Sequence, residues 1–240
     1  IAALSALLRS PFAQAGDALE HILKAKELRV AVPVDYPPYG YVGPDMVPQG
    51  LDIDVANLMA NKLGVKLQLV PVTAPNRVAY IQSGKADFTI SSLGKTAERE
   101  KVIDYSIAYS PFFDAVFGKA ELPVKSMGDM AGKTVSVTRG SMQDKELTDM
   151  APDAITKRFE DNNSSISAFL SGQTQMVAIG TTVAAALKQK NPNMDIALKV
   201  VLSNAPNYIG MNKDEPELRN KVNEIIRQAK ADGTLDAISQ

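Results

Sequence analysis

Two serines and an arginine in one short stretch carry the strongest chemical signal in this chain. In Ala86-Asp87-Phe88-Thr89-Ile90-Ser91-Ser92-Leu93-Gly94-Lys95-Thr96-Ala97-Glu98-Arg99, an apolar strand ends in small hydroxyl residues and runs into a helix start. Such a strand end leaves backbone N–H groups and hydroxyls free at the carboxyl edge of a sheet, where small ligands of open α/β folds settle. Arg99 stands three residues past the candidate N-cap Thr96, so its planar fork can turn back to that edge and hold a carboxylate through two parallel hydrogen bonds. The chemistry on offer is capture of a small anion. Taken alone, the same residues also suit a plain strand end followed by a solvated arginine, and the rest of the chain decides between the two.

Composition removes most other chemistries. With 240 residues and 45% hydrophobic content, the chain can bury a full core as one large domain or two modest lobes. A formal net charge of −1 supplies no general field for nucleic acid or an acidic membrane, so an electropositive site must be local. There is no cysteine and one histidine, His21, which excludes thiol nucleophiles and zinc sites of ordinary composition. No metal and no cofactor are expected. Residues 1–15 pair an apolar run with Ala13-Gln14-Ala15, a small-x-small pattern, and read as the remnant of a secretory signal. No later run approaches the roughly twenty apolar residues of a membrane span. An exported, soluble protein is expected.

The hydrophobic pattern alternates helix and strand. Helical spacing over 17–26 feeds a strand at 28–32, and Tyr36-Pro37-Pro38-Tyr39 then forces an extended turn. A helix from Gly50 to Leu63 closes at Gly64, a strand spans 65–70, a short helix spans 76–83, and a strand follows at 88–90. This β-α-β-α-β order implies parallel pairing with helices on both faces. A second alternation follows the aromatic segment 110–118, with strands at 135–137, 157–159 and 176–179 and helices between them. A last amphipathic helix covers 217–231. Two similar α/β units in tandem suggest two lobes with a ligand cleft between them.

Seven pieces in register resemble the bacterial extracellular solute-binding proteins of the polar amino-acid family, which serve ABC importers. They are Tyr36-Pro37-Pro38-Tyr39, Gly50-Leu51-Asp52-Ile53-Asp54, Gly84-Lys85-Ala86-Asp87, Thr96 to Arg99 with Val102 to Ser106, Gly132-Lys133-Thr134-Val135, Gly140-Ser141, and Ala231 to Leu235. The resemblance implies a two-lobed periplasmic-binding-protein fold of type II, an α/β architecture whose lobes are joined by two crossover strands. It implies lobe 1 at 16–110 and 207–240, lobe 2 at 111–206, and hinge strands near 108–116 and 202–210. Carried over by residue, it places the carboxylate arginine at Arg99 and donors at Ser91 and Ser92. The next donor position is Gly94, where only backbone can serve. From the second lobe it places Gly140, Ser141 and Met142 around the same carboxylate. One aromatic wall falls on Tyr36 and the facing wall on Leu51. It also implies periplasmic location, a monomer, and a membrane permease of an ABC transporter as partner.

The departures concern the ligand. The aspartate that receives the ammonium in amino-acid binders should follow the strand 177–179, where this chain has Gly180 and Thr181. A further acidic position is Pro33. A buried ammonium without a carboxylate is expensive, so a cationic amino acid is disfavoured. Asn76-Arg77 is similar to the Asn-Arg pair of acidic-amino-acid binders. The expected solute is an organic anion: a polar or acidic amino acid, or an acid lacking an amine. The competing class is a secreted dehydratase of the same fold acting on a cyclic carboxylate. That chemistry needs an acid or base aimed into the cleft, and none is evident from the sequence.

Overall fold

The computed structural model describes residues 16–240, so the signal-remnant reading of 1–15 lies outside the described residues. The first half runs α1 (Ala18–Ala25), β1 (Glu27–Val32), β2 (Asp35–Tyr36), β3 (Gly40–Val42), β4 (Pro48–Gln49), α2 (Leu51–Leu63), β5 (Lys66–Pro71), α3 (Arg77–Gln82), β6 (Phe88–Thr89), α4 (Ala97–Glu100) and β7 (Ile103–Ser110). The second half runs β8 (Phe113–Gly118), β9 (Thr134–Thr138), α5 (Met142–Met150), β10 (Ile155–Phe159), α6 (Asn162–Leu170), β11 (Met176–Gly180), α7 (Thr181–Lys190), β12 (Ala197–Asn204), β13 (Asn207–Asn212), α8 (Pro216–Ala231) and α9 (Thr234–Ile238).

These strands build two five-stranded sheets, ordered β5-β1-β6-β13-β7 and β10-β9-β11-β8-β12. In each sheet three strands pair in parallel, as the β-α-β spacing requires, and a single crossover strand, β13 in the first and β8 in the second, runs against the other four. The chain passes from β7 in the first sheet to β8 in the second, and returns from β12 to β13. The two passages are tied together where the Ala205 N–H donates to the Phe112 carbonyl at 2.8 Å. This is a two-lobed α/β fold of type II. The prolines of the 36–39 segment do not leave a bare turn: they sit beside a small sheet, β2-β3-β4, absent from the sequence reading.

The core of the first sheet joins Val30, Val32 and Phe88 to α2 and to the inner face of α8, whose Leu218, Val222, Ile225, Ile226 and Ala229 are buried at helical spacing. Helix α2 stops at Gly64, where φ is +67° and a left-handed cap comes without a Cβ penalty. A separate cluster crosses between the lobes. Tyr36 and Tyr39 from the first half pack with Phe112, Phe117, Ile166 and Ile179 of the second. Among the described residues no helix is long and apolar enough to cross a membrane.

Candidate functional site between the lobes

The two sheets face each other across a cavity of about 20 Å³, little more than one water molecule needs. Its first-lobe wall holds Tyr36, Arg77, Ser91, Ser92 and Gly94; its second-lobe wall holds Phe112, Asp114, Ser141, Met142 and Gln143.

Two guanidinium groups serve the first-lobe side, Arg77 in the cavity wall and Arg99 just outside it. Arg77 opens α3 and lies beneath the strand end, only 6% exposed. Its Nη1 donates to the Ser91 carbonyl at 2.9 Å and the Ser92 carbonyl at 3.2 Å, and its Nε to the Ala74 carbonyl at 3.3 Å. Arg99 lies on the one-turn helix α4, capped by Thr96, whose Oγ1 accepts the Arg99 N–H at 3.1 Å. Its Nη1 donates to the Gly94 carbonyl at 2.8 Å and its Nη2 to the Gly140 carbonyl of the second lobe at 2.7 Å. Among the described residues neither arginine forms an ion pair. Burial, and then the like charge of Arg99, push the Arg77 guanidinium down to about 9. Two cations held side by side without a counter-ion make a site that favours an anion.

The serine segment is anchored from below. Asp52, fully buried in the first turn of α2, accepts the Ser92 N–H at 2.8 Å and the Tyr109 hydroxyl at 2.5 Å. Burial raises its carboxyl to about 7, against the opposing pull of those two donors and Arg77. Ser92 holds φ at +41°, a left-handed conformation rare for serine, so the anchor fixes a strained turn at the cavity wall. The Gly50-Leu51-Asp52 motif thus serves the site through Asp52.

The second-lobe wall is acidic. Asp114 on β8 has no exposed surface, and its Oδ1 accepts the Gln143 side-chain amide at 2.5 Å. Glu146 on α5 accepts the Ser203 hydroxyl. Asp114 Oδ2 and Glu146 Oε2 are both buried without a donor. Burial, and then the neighbouring Glu146, raise the Asp114 carboxyl to about 8; burial raises Glu146 as well.

Several expected site residues stand elsewhere. Leu51 packs between the two cores and faces an outer recess with Tyr39 and Thr182, so it is not the second aromatic wall. Phe112 takes that place, facing the cavity with Tyr36. Arg99 and Gly140 do not line the cavity; they meet at its outer mouth, where the guanidinium bridges the lobes. Gly180 donates its N–H to the Tyr36 hydroxyl at 2.9 Å, and a Cβ there would stand 2.5 Å from the Phe112 ring. The acidic side chain implied by resemblance near this strand end has no room at Gly180, because Phe112 occupies the space. Thr181 begins α7 outside the cavity. The expectation that no acid or base reaches the cleft fails at Asp114. Its signal was present in the aromatic segment Pro111-Phe112-Phe113-Asp114, which reads as a crossover strand and hides a buried charge. Asn162 was also missed; it lines the cavity and meets Asp35 of the first lobe through its N–H at 2.8 Å. Among the described residues no group of three or more His, Cys, Asp or Glu is placed to hold a metal ion.

Two hinged α/β lobes around a small polar cavity with unneutralised guanidiniums define the class of solute-binding proteins. Residues 28–240 match the model of the bacterial extracellular solute-binding proteins, family 3, and the chain belongs to that family. It is 26% identical over 194 residues to the ABC transporter glutamine-binding protein GlnH of Bacillus subtilis (strain 168), covering 79% of this chain and 71% of that one. Among solved structures, the amino acid ABC transporter substrate-binding protein AbpA from Streptococcus pneumoniae, bound to L-arginine, superposes with a TM-score of 0.84 at 32% identity, covering 91% of this chain and 95% of that one. A shorter match, 35% identical over 105 residues, is to the cyclohexadienyl dehydratase of Pseudomonas aeruginosa, covering 43% of this chain and 39% of that one.

Proposed function

We propose that this protein captures a small amino acid bearing a carboxylate between its lobes and presents it to the permease of an ABC importer, as a monomer in the periplasm. The observation that carries the reading is the pair Arg77 and Arg99, two cations that act on each other and have no ion-paired acid among the described residues, at the Ser91 and Ser92 turn. A desolvated carboxylate loses several kcal/mol of hydration and recovers it only from aimed charged donors of this kind. In this reading lobe 1 is 16–110 with 207–240, lobe 2 is 111–206, and the crossovers are the hinge. The cavity is too small for an amino acid, so the solute enters with the lobes apart. Parting them breaks the Arg99 bond to Gly140 and frees that guanidinium for the incoming carboxylate. Ser141 and Met142 then close over the solute, while Gly180 contributes through its bond to the Tyr36 hydroxyl and Thr181 only by starting α7. Calorimetric titration with L-glutamine, L-arginine, L-cystine, L-glutamate and glutarate tests the reading. Saturable binding of at least one is expected, and no heat from any of them contradicts it.

A second reading, a dehydratase acting on a cyclic carboxylate, has one observation in its favour. Asp114 is a buried acid facing two cations, held protonated near neutral pH, which is what a departing hydroxyl group needs. Release of an aromatic product from a cyclohexadienyl carboxylate would establish it.

A further inference from the structure

The cavity has an unexplained acidic half. Asp114 is fully buried and faces the cavity, and its Oδ2 has no donor. Beside it, from α5, Glu146 presents a second buried oxygen without a donor. Two carboxyl groups packed together out of water cannot both stay ionised, and one proton shared between them is the ordinary solution. The surrounding charges argue against a purely structural pair. Arg77 from α3 and Arg99 from α4 act on Asp114 across the cavity, and Tyr36 and Tyr39 lie close enough to feel its charge. Yet neither guanidinium reaches a carboxylate; both are spent on backbone carbonyls. Asp114 is tethered only on its Oδ1 side, by Gln143.

We infer that Asp114, backed by Glu146, receives the protonated amine of the solute, and that the amine displaces the proton these two carboxyl groups share. This rests on the solute-binding reading and deepens it. The solute carries a carboxylate toward Arg77 and Arg99 and an ammonium toward Asp114. The exchange balances: the ammonium keeps its own protons, donates a hydrogen bond to Asp114, and the proton shared by Asp114 and Glu146 leaves to solvent. The site stands on β8 rather than after β11, where Phe112 fills the space beside Gly180.

The test is calorimetry of the full chain at pH 6 in two buffers of different ionisation enthalpy, with L-glutamine, L-arginine, L-cystine, L-glutamate and the amine-free analogue glutarate as probes. The expected result is release of close to one proton per bound amino acid, and weaker binding of glutarate than of glutamate. Asp114→Asn should abolish the release and weaken the bound amino acid on the order of 100-fold. Glu146→Gln should reduce the release, because the lone Asp114 then ionises more readily. In the ligand-free protein, a carbon-13 carboxyl titration should find, besides that of Asp52, a carboxyl group ionising far above the usual range that is lost in Asp114→Asn. Amino-acid binding without proton release, unchanged in Asp114→Asn, overturns the inference and leaves the solute-binding reading intact. Preference for glutarate does the same. Absence of binding by every probe overturns both.

Discussion

The two walls of the cavity solve opposite electrostatic problems. The first-lobe side gathers positive charge: Arg77 in the cavity wall and Arg99 just outside it have no ion-paired acid, and buried Asp52 is committed to the Ser92 N–H and the Tyr109 hydroxyl. The second-lobe side gathers negative charge in Asp114, which faces the cavity, and in Glu146 behind it, each with one oxygen lacking a donor. The first wall is rigidly tied, because Arg77, Asp52 and Thr89 lock the serine turn through five hydrogen bonds of 2.5–3.2 Å. The second is more loosely tied, with Gln143 on one Asp114 oxygen and only Glu146 beside the other. Neither wall is neutral by itself, and their charges meet only when the lobes do. In the proposed reading, a solute with opposite charges at its two ends would complete both, coupling binding to closure.

The comparison can be broken from either side. The largest stability effect is expected from Asp52→Ala, which strands a buried N–H and a buried hydroxyl; each orphaned group costs on the order of 1–3 kcal/mol, so a loss of about 3 kcal/mol should appear as a lower urea midpoint. A wild-type midpoint would mean that the serine turn holds itself.

On the other wall, Gly180→Asp restores an acid near the strand end where the resemblance implies one, and drives its Cβ against the Phe112 ring. The cost should be about 2 kcal/mol, largely recovered when Phe112→Ala is added. An unperturbed single variant would show that Phe112 moves freely and that Gly180 is not reserved by packing.

A smaller effect concerns pH. The carboxyl groups of Asp52 and Asp114 ionise higher in the folded chain, at about 7 and about 8, than in an unfolded one. Above about pH 4 the native state therefore binds more protons than the unfolded state, so stability falls as pH rises. The decline should be complete only above about pH 8, where both groups are ionised. Thermal unfolding of the ligand-free protein from pH 4 to 8 should show it, and Asp114→Asn should flatten its upper part. A stability that rises steadily across that interval would contradict the buried acid.

The fold was legible because it is written in local pattern. Apolar alternation marked β5, the 3–4 spacing of Leu218, Val222, Ile225 and Ile226 marked α8, and Gly64 marked the end of α2. The serine turn and Arg99 stood out because a strand end, an N-cap and a basic residue fall within a few residues of one another, whereas Arg77, 14 positions before Ser91, was marked only by the resemblance. What sequence could not carry was pairing across the lobes. Asp114 lies 29 positions before Gln143 and sits in an aromatic run that looks like hinge. Arg99 reaches 41 positions to Gly140, and only a closed cleft brings them together. Phe112 was invisible as a wall because nothing local says that a Gly 68 positions later leaves room for its ring. Leu51 misled for the converse reason: its place in the motif is conspicuous, whereas its side chain faces the two cores.

Whether Arg77 and Arg99 grip the solute's carboxylate is tested most directly by calorimetry of Arg77→Ala, Arg99→Ala and the double variant with the best-binding amino acid. Each single replacement should cost about 2–5 kcal/mol of binding free energy, and the double should cost less than their sum, since both cations serve one anion. Affinity left at the wild-type level in both single variants would contradict the account.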